Sequence, residues 1–445
     1  TIPPHHLHHH RGGGGGRHRA FSNFSADDTS DPFAQAAAAS NYLSDWWHEG
    51  EAFLQSLNPG GRLIEVTLLL VSFKACCVMW VIARRTKHAD DDYANYDNSL
   101  RGGDDRARHE LVYRRLRNLY LSVYACATFG DWIQGGFLYA LYAEYGYSMH
   151  EIGLIFVVGY GSAATIGTYV SALGDTGGHR RNCVLYGVLY AGSCLLCNFN
   201  SLTALLVGRL LGGIAYSILY TSFESWLIAE ADARGLPTSL LARLFSVATF
   251  TNAGSAVVAG MAGHLAVEVI PHTQHNKFAS AFDVGVGVLL LASVLAAFRW
   301  TERFGGDGSG SEANGSALQS LQRSVRAIRR SRALIYLGLV NSLYEAALYV
   351  FVFLWTPALE RRALLSPAAG APSHGLIFSI FMLSKMAGSQ AFHALSARLS
   401  PSSILQLVFG GSACCLGFVV VTTSYERALL AFCGFEALLG MYWPA

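Results

Sequence analysis

Arg209, Gly213, Tyr216, Tyr220 and Glu224 follow one another at steps of four, three, four and four residues inside an otherwise apolar stretch. On a continuous helix that spacing puts all five on one face. A face with a cation, a glycine, two tyrosines and a carboxylate suits a water-filled cavity better than lipid. At about 1.5 Å rise per residue, Arg209 and Glu224 stand about 22 Å apart and cannot pair with each other. The guanidinium fork of Arg209 matches oxyanions, which makes it a candidate anion contact. A structural pair with Asp131 or with another helix's carboxylate is the competing reading, and both stay open.

Further ionisable residues sit inside apolar stretches: Asp131, Arg243, Glu345, Lys385 and Glu436. A charge in a membrane helix is costly unless paired, so each is a functional candidate. Asp131 and Gln134 are one turn apart and precede Gly135-Gly136. The glycines permit close packing or bending, and Asp131 is a candidate proton acceptor or gate. Lys385 is either a second anion contact or the partner of Glu345. Glu65 and Lys74 lie in the first apolar stretch and are expected to be interfacial or paired.

The elements that carry these residues follow from composition. Of the 445 residues, 52% are hydrophobic and only 14% are charged, against about 25% charged in an ordinary soluble domain. That excludes a soluble enzyme, a disordered chain and a coiled coil, and points to many membrane helices. The nine cysteines lie in or beside apolar runs, as small buried hydrophobes do. Cys194 and Cys197 have CxxC spacing but no second pair, so no metal site and no disulfide framework is expected. Apolar segments occur at 62–83, 117–143, 151–173, 182–199, 201–229, 240–268 and 279–299, then at 333–357, 374–396, 402–423 and 427–445. Each is near the roughly 20 residues that span hydrocarbon. The basic loops, 84–116, Arg180-Arg181, Arg234 with Arg243, and 300–332, fall on one side and mark it as cytoplasmic. Arg361 and Arg362, in an expected outer loop 358–373, are the exception.

Six helices, a basic linker and a second helical set form the layout of a two-halved transporter. The halves correspond: Arg209 and Glu436 each lie just before Leu-Leu-Gly in a fourth helix. The chain starts with Thr1 and stops at Ala445 inside an apolar run. We therefore expect a fragment whose second six-helix bundle is incomplete. The predicted organisation is a disordered His/Gly-rich tail (1–61), an extra helix with a basic loop (62–116), an N-terminal six-helix bundle (117–299), a basic linker (300–332) and a C-terminal bundle (333–445).

Ser171-Ala-Leu-Gly-Asp175-Thr-Gly-Gly178-His-Arg180-Arg181 resembles the loop motif of the major facilitator superfamily, with Ser171 and Thr176 departing from it. Leu205 to Gly213, around Arg209, resembles that superfamily's fourth-helix motif, which is linked to proton coupling. Gly130 to Tyr142, Val207 to Gly213, Ser222-Phe-Glu-Ser-Trp226 and Val350 to Pro357 look like the molybdate-anion transporter family. The resemblance covers about residues 62–445. It implies an all-α polytopic membrane protein, two six-helix bundles with one extra N-terminal helix, and molybdate uptake at the cell membrane. Molybdate, a tetrahedral dianion, needs a cation and neutral donors, which Arg209 with Gln134, Tyr216, Tyr220, Asn252 and Lys385 would supply. Asp131, Glu224, Glu345 and Glu436, with Asp175 and Arg180 in the loop motif, would serve proton coupling or gating. The expected partners are the anion and the lipid bilayer, with no nucleic acid, in a monomer without cofactor or metal. The rival is a transporter of another small solute, such as sulfate, a sugar or another anion. A membrane enzyme has no support, because HExxH, GxSxG and P-loop motifs are absent from the chain.

Overall fold

A computed structural model describes residues 63–87, 103–270, 276–304, 325–326, 328–365 and 370–444. The His/Gly-rich tail and the Gly/Ser-rich part of the linker lie outside these residues. The described residues form helices, with no strand among them. In order these are α1 (Leu63–Lys87), α2 (Gly103–Trp132), α3 (Leu138–Glu144), α4 (Met149–Ser162), α5 (Thr168–Gly177) and α6 (His179–Leu196). They continue with α7 (Leu202–Leu219), α8 (Ser222–Ala233), α9 (Thr238–Val269) and α10 (Ala279–Arg299). After the linker come α11 (Arg332–Leu365), α12 (His374–Leu395), α13 (Pro401–Val421) and α14 (Tyr425–Tyr442). Seven of the spans these helices form are long and apolar enough to cross a membrane.

Every apolar segment read from the sequence is helical where described; 151–173 passes through a π-helical turn at Ala163–Gly167, and two others are broken. Segment 117–143 divides at a turn over 133–137, where Gly135 and Gly136 pack against Phe378 and the His374 carbonyl. Side chains at the glycines would collide there. Segment 201–229 divides between α7 and α8. The Thr221 hydroxyl bonds the Ser217 carbonyl at 2.8 Å, the back-bonding that bends helices. The single face read from Arg209 to Glu224 therefore ends at Tyr220. Glu224 belongs to a separate helix.

The outer-loop expectation for Arg361 and Arg362 also changes. Helix α11 runs through Pro357 to Leu365, so both arginines ride on its last turns. Arg362 donates to the carbonyls of Ala358, Val419 and Thr422. It thus satisfies orphan carbonyls at the end of α13, which is its structural reason for lying there.

Packing runs through small residues. Helix α7 reaches α4 where Gly213 meets Ser162 and the Gly159 carbonyl. Helix α12 is the hub of the second half and packs against α1, α9 and α14. Gly260 of α9 and Gly375 of α12 meet each other's carbonyls, and Ser379 bonds the Val257 carbonyl at 3.0 Å. On the other side, Gly388 abuts the Ala437 carbonyl and Gly440 abuts the Lys385 carbonyl. Small residues are the means by which helices approach closely in lipid, where no hydrophobic force draws them together. The extra helix α1 is pinned to this hub: buried Glu65 accepts from the Tyr425 hydroxyl and from the Ser373 backbone N–H at 3.4 Å. Glu65 is thus paired, one of the two expectations for it.

A methyl group at Gly388 has no space beside the Ala437 backbone. Gly388→Val is expected to lower the melting temperature of the detergent-solubilised protein and its surface level, read by size-exclusion chromatography. Gly410→Val, at a glycine with open space around its Cβ position, should leave both unchanged.

Candidate functional site

Arg209 projects from α7 beside three glycines. Gly208 packs on Ser193 and Leu196, Gly212 on Ser193, and Gly213 on α4. The close approach of these helices gives the guanidinium only neutral hydrogen-bond partners, with Asp131 within electrostatic reach but not in contact. Its Nη2 donates to Gln134 Oε1 at 3.2 Å and to Ser193 Oγ at 3.4 Å, and lies 4.0 Å from the Cys197 sulfur. Its Nε–H is enclosed and bonds nothing among the described residues. Among those residues no carboxylate lies within ion-pair distance of Arg209. Of the two sequence readings, the structural pair with Asp131 is therefore not formed. Asp131 is buried and accepts instead from the Tyr190 hydroxyl at 2.6 Å.

Gln134 and Asn252, expected as donors, act here as acceptors. The Gln134 carbonyl oxygen takes the Arg209 bond, while its amide nitrogen donates to the Gly130 carbonyl at 3.3 Å. Asn252 Oδ1 accepts from the Trp132 indole N–H at 2.7 Å. Both side chains thus orient neighbours: Gln134 holds the guanidinium and Asn252 holds Trp132.

Trp132 links the two halves. Its ring lies 6.0 Å from Phe378 and 5.9 Å from the Lys385 ammonium, the latter within cation–π range. Lys385 is also within electrostatic reach of Glu345 and Glu436. Glu436 is buried, and its Oε2 has no hydrogen-bond partner among the described residues. Glu345 lies beside Tyr349, which also reaches Tyr216. Tyr216 and Tyr220 remain 40% and 38% exposed, with ring centroids 4.8 Å apart. Tyr160 and Tyr349 face each other at 4.3 Å. One polar region thus joins Arg209, Asp131 and Tyr216 to Glu345 and Lys385.

The remaining expected residues lie elsewhere. Glu224 is exposed on α8, and the side chain of Asp175 lies outside the described residues. Arg180 is held by Glu302, through its backbone N–H at 3.0 Å and its Nε at 3.2 Å. Arg243 lies 3.7 Å from Glu110 and stacks over Tyr113. Sequence reasoning missed Glu230, which is 1% exposed. It binds Arg303 at 2.6 Å, Thr301 at 2.7 Å and Arg234. The available signal was the four-residue spacing of Glu230 and Arg234 on one helix. Beside it Trp226 stacks on Trp300 at 3.8 Å, tying α8 to the end of α10. Tyr190, Ser193 and Tyr349 were also missed, since nothing in an apolar pattern distinguishes a hydroxyl that reaches another helix.

Glu230→Ala would leave Arg303 and Arg234 without their buried counter-charge, at a cost on the order of 3 kcal/mol. The expected result is a lower melting temperature and lower surface level with an unchanged transport KM, measured by thermal unfolding and uptake.

With this geometry in hand, comparison with known proteins is informative. Residues 97–441 match a family described as sugar transporters with twelve transmembrane segments. A molybdate-anion transporter of Xenopus laevis is 30% identical over 347 residues, covering 75% of this chain and 72% of that protein. One of Danio rerio is 29% identical over 362 residues, with the same coverage. Among solved structures, the nucleoside transporter NupG superposes with a TM-score of 0.57 at 11% identity, over 73% of this chain and 79% of that one. The E. coli xylose transporter XylE, in a partially occluded inward-open conformation, superposes with a TM-score of 0.54 at 14% identity, over 74% and 85%. At such identities the two structures speak for the fold alone.

Proposed function

We propose that this chain, a multi-pass membrane transporter that belongs to the molybdate-anion transporter family of the major facilitator superfamily, takes up molybdate across the cell membrane by alternating access. The observation that carries the substrate reading is Arg209. A guanidinium with only neutral hydrogen-bond partners, no ion pair and an enclosed, unbonded N–H among the described residues is unfavourable in a low-dielectric interior. An anion supplies the missing charge and the missing acceptor together. The names of the relatives point to the same anion. Lys385 would join as a second cation when its carboxylate neighbours release it, and Tyr216 and Tyr220 supply neutral donors.

Alternating access is supported by the two ends of the bundle. At the end remote from the basic loops, Phe278 meets His374 at 5.2 Å and His374 bonds Glu360 at 3.0 Å. Tyr139 meets Phe353 at 5.6 Å. Toward the basic end, Tyr216, Tyr220 and Glu224 are exposed. With the basic end in the cytoplasm, this is an arrangement closed outside and accessible inside. A dianion entering a negative-inside cell needs a driving ion, and we assign proton coupling to Asp131, Glu345 and Glu436, with Glu224 at the inner mouth. Asp175 and Arg180 act in this reading as gating residues at the junction of α5 and α6, on either side of Gly178.

Arg209→Ala is expected to lower molybdate uptake at least about tenfold at normal surface level, equivalent to about 1.4 kcal/mol of lost binding. Unchanged uptake removes Arg209 from the site. Excess sulfate, tungstate or sugar in the same assay separates the substrates. Full inhibition by a sugar, with none by tungstate, would favour the rival solute.

A proton-coupled carrier should import faster as external pH falls. Asp131→Asn is expected to flatten that dependence. Uptake by the unaltered protein that does not change with pH would end the coupling assignment.

A further inference from the structure

Close to Arg209 the N-terminal helices enclose a second donor whose bonding is incomplete. Tyr142, on α3, is 0% exposed, and its hydroxyl has no hydrogen-bond partner among the described residues. The Cys197 thiol, a weak acceptor, lies close enough to interact with it, and Arg209 is within electrostatic reach. The same thiol is 4.0 Å from Arg209 Nη2, so Cys197 stands between the hydroxyl and the guanidinium. A buried hydroxyl with only a thiol to donate to has lost its water and gained a weak replacement. Phenylalanine would fill the same volume without that penalty. The placement is nonetheless well determined: α3 follows the Gly135–Gly136 turn, and the Asn276 amide anchors it by donating to the Leu141 carbonyl at 2.9 Å.

Two enclosed donors therefore lie close to Cys197, the Arg209 Nε–H and the Tyr142 hydroxyl, and neither has an oxygen acceptor among the described residues. A tetrahedral oxyanion is acceptor on every oxygen and answers both. We propose that Tyr142 is a direct substrate contact, its hydroxyl donating to one oxygen of the oxyanion whose other oxygens face Arg209. This rests on the reading of Arg209 as the anion's cation and completes its donor set within the N-terminal half. Lys385 and the second-half carboxylates are left to respond to the anion rather than to hold it first.

The test uses the full chain. Tyr142→Phe removes one oxygen whose neighbour is only a weakly accepting thiol, so the ligand-free protein should melt at about the same or a higher temperature. Its KM for molybdate should rise about tenfold, the scale of one hydrogen bond to a charged group, and the rise in melting temperature on adding molybdate should shrink. An unchanged KM with an unchanged molybdate-induced rise overturns the proposal. Arg209→Ala in parallel keeps the readings distinguishable. If it abolishes uptake while Tyr142→Phe changes nothing, only the tyrosine assignment falls. If Arg209→Ala changes nothing either, the anion reading of Arg209 has failed. Should Tyr142→Phe fail to reach the membrane, Cys197→Ile, a larger side chain between the two donors, reads the same space. A raised KM supports the proposal and an unchanged one overturns it.

Discussion

A guanidinium in a low-dielectric interior, without a carboxylate in ion-pair contact among the described residues, is the constraint around which this molecule is arranged. Arg209 faces Gln134, Ser193 and Cys197, and none of them can neutralise it. Its position depends on α7 lying close to α4 and α6, which Gly208, Gly212 and Gly213 make possible. Wider spacing would admit lipid or water around the charge. The glycines are therefore electrostatic devices as much as packing ones: they fix how little solvent the cation meets.

The second half shows the same logic with a different outcome. Helix α12 carries close contacts on two sides, through Gly375 to α9 and through Gly388 to α14, and α1 lies against it as well. Its cation, Lys385, sits over Trp132 with Glu345 and Glu436 in electrostatic reach. A helix gripped by three neighbours is a poor candidate for independent motion. Rearrangement would carry α1, α12 and α14 as one body, with Glu65 fastening the first to the last through Tyr425.

Much of the helical framework was legible in the sequence, because hydrophobic runs of spanning length leave few alternatives in lipid. The charged residues in those runs were legible for the same reason. What was not legible is where a helix stops without a proline. The break near Tyr220 comes from the Thr221 hydroxyl bonding back to Ser217, and threonine often sits in membrane helices without such an effect. Partner choice was also hidden. Asp131 and Arg209 are at plausible depths for a pair, yet Asp131 bonds Tyr190 and Arg209 bonds Gln134. Register between helices decides this, and register is a property of packing, not of spacing along one chain. Glu230 escaped notice because its partners Thr301 and Arg303 lie about seventy residues on, where composition reads only as a linker.

The charges of the two halves are arranged unequally, and this bears on order of events. Neither cation is in an ion pair among the described residues, but Arg209 has one carboxylate within electrostatic reach, Asp131, whereas Lys385 has two, Glu345 and Glu436. An incoming anion meets one carboxylate near Arg209 but two near Lys385, where it would be set against Glu345 and Glu436. Repulsion between like charges in a poorly screened interior is strong over several ångströms. An anion at Arg209 would also act across the Trp132 and Tyr216–Tyr349 contacts that join the halves. The favourable sequence is thus occupation of Arg209, then a response of the carboxylates around Lys385, by proton uptake or by movement. That asymmetry gives the proposed coupling of anion and driving ion a physical basis in one polar region rather than in two separate ones.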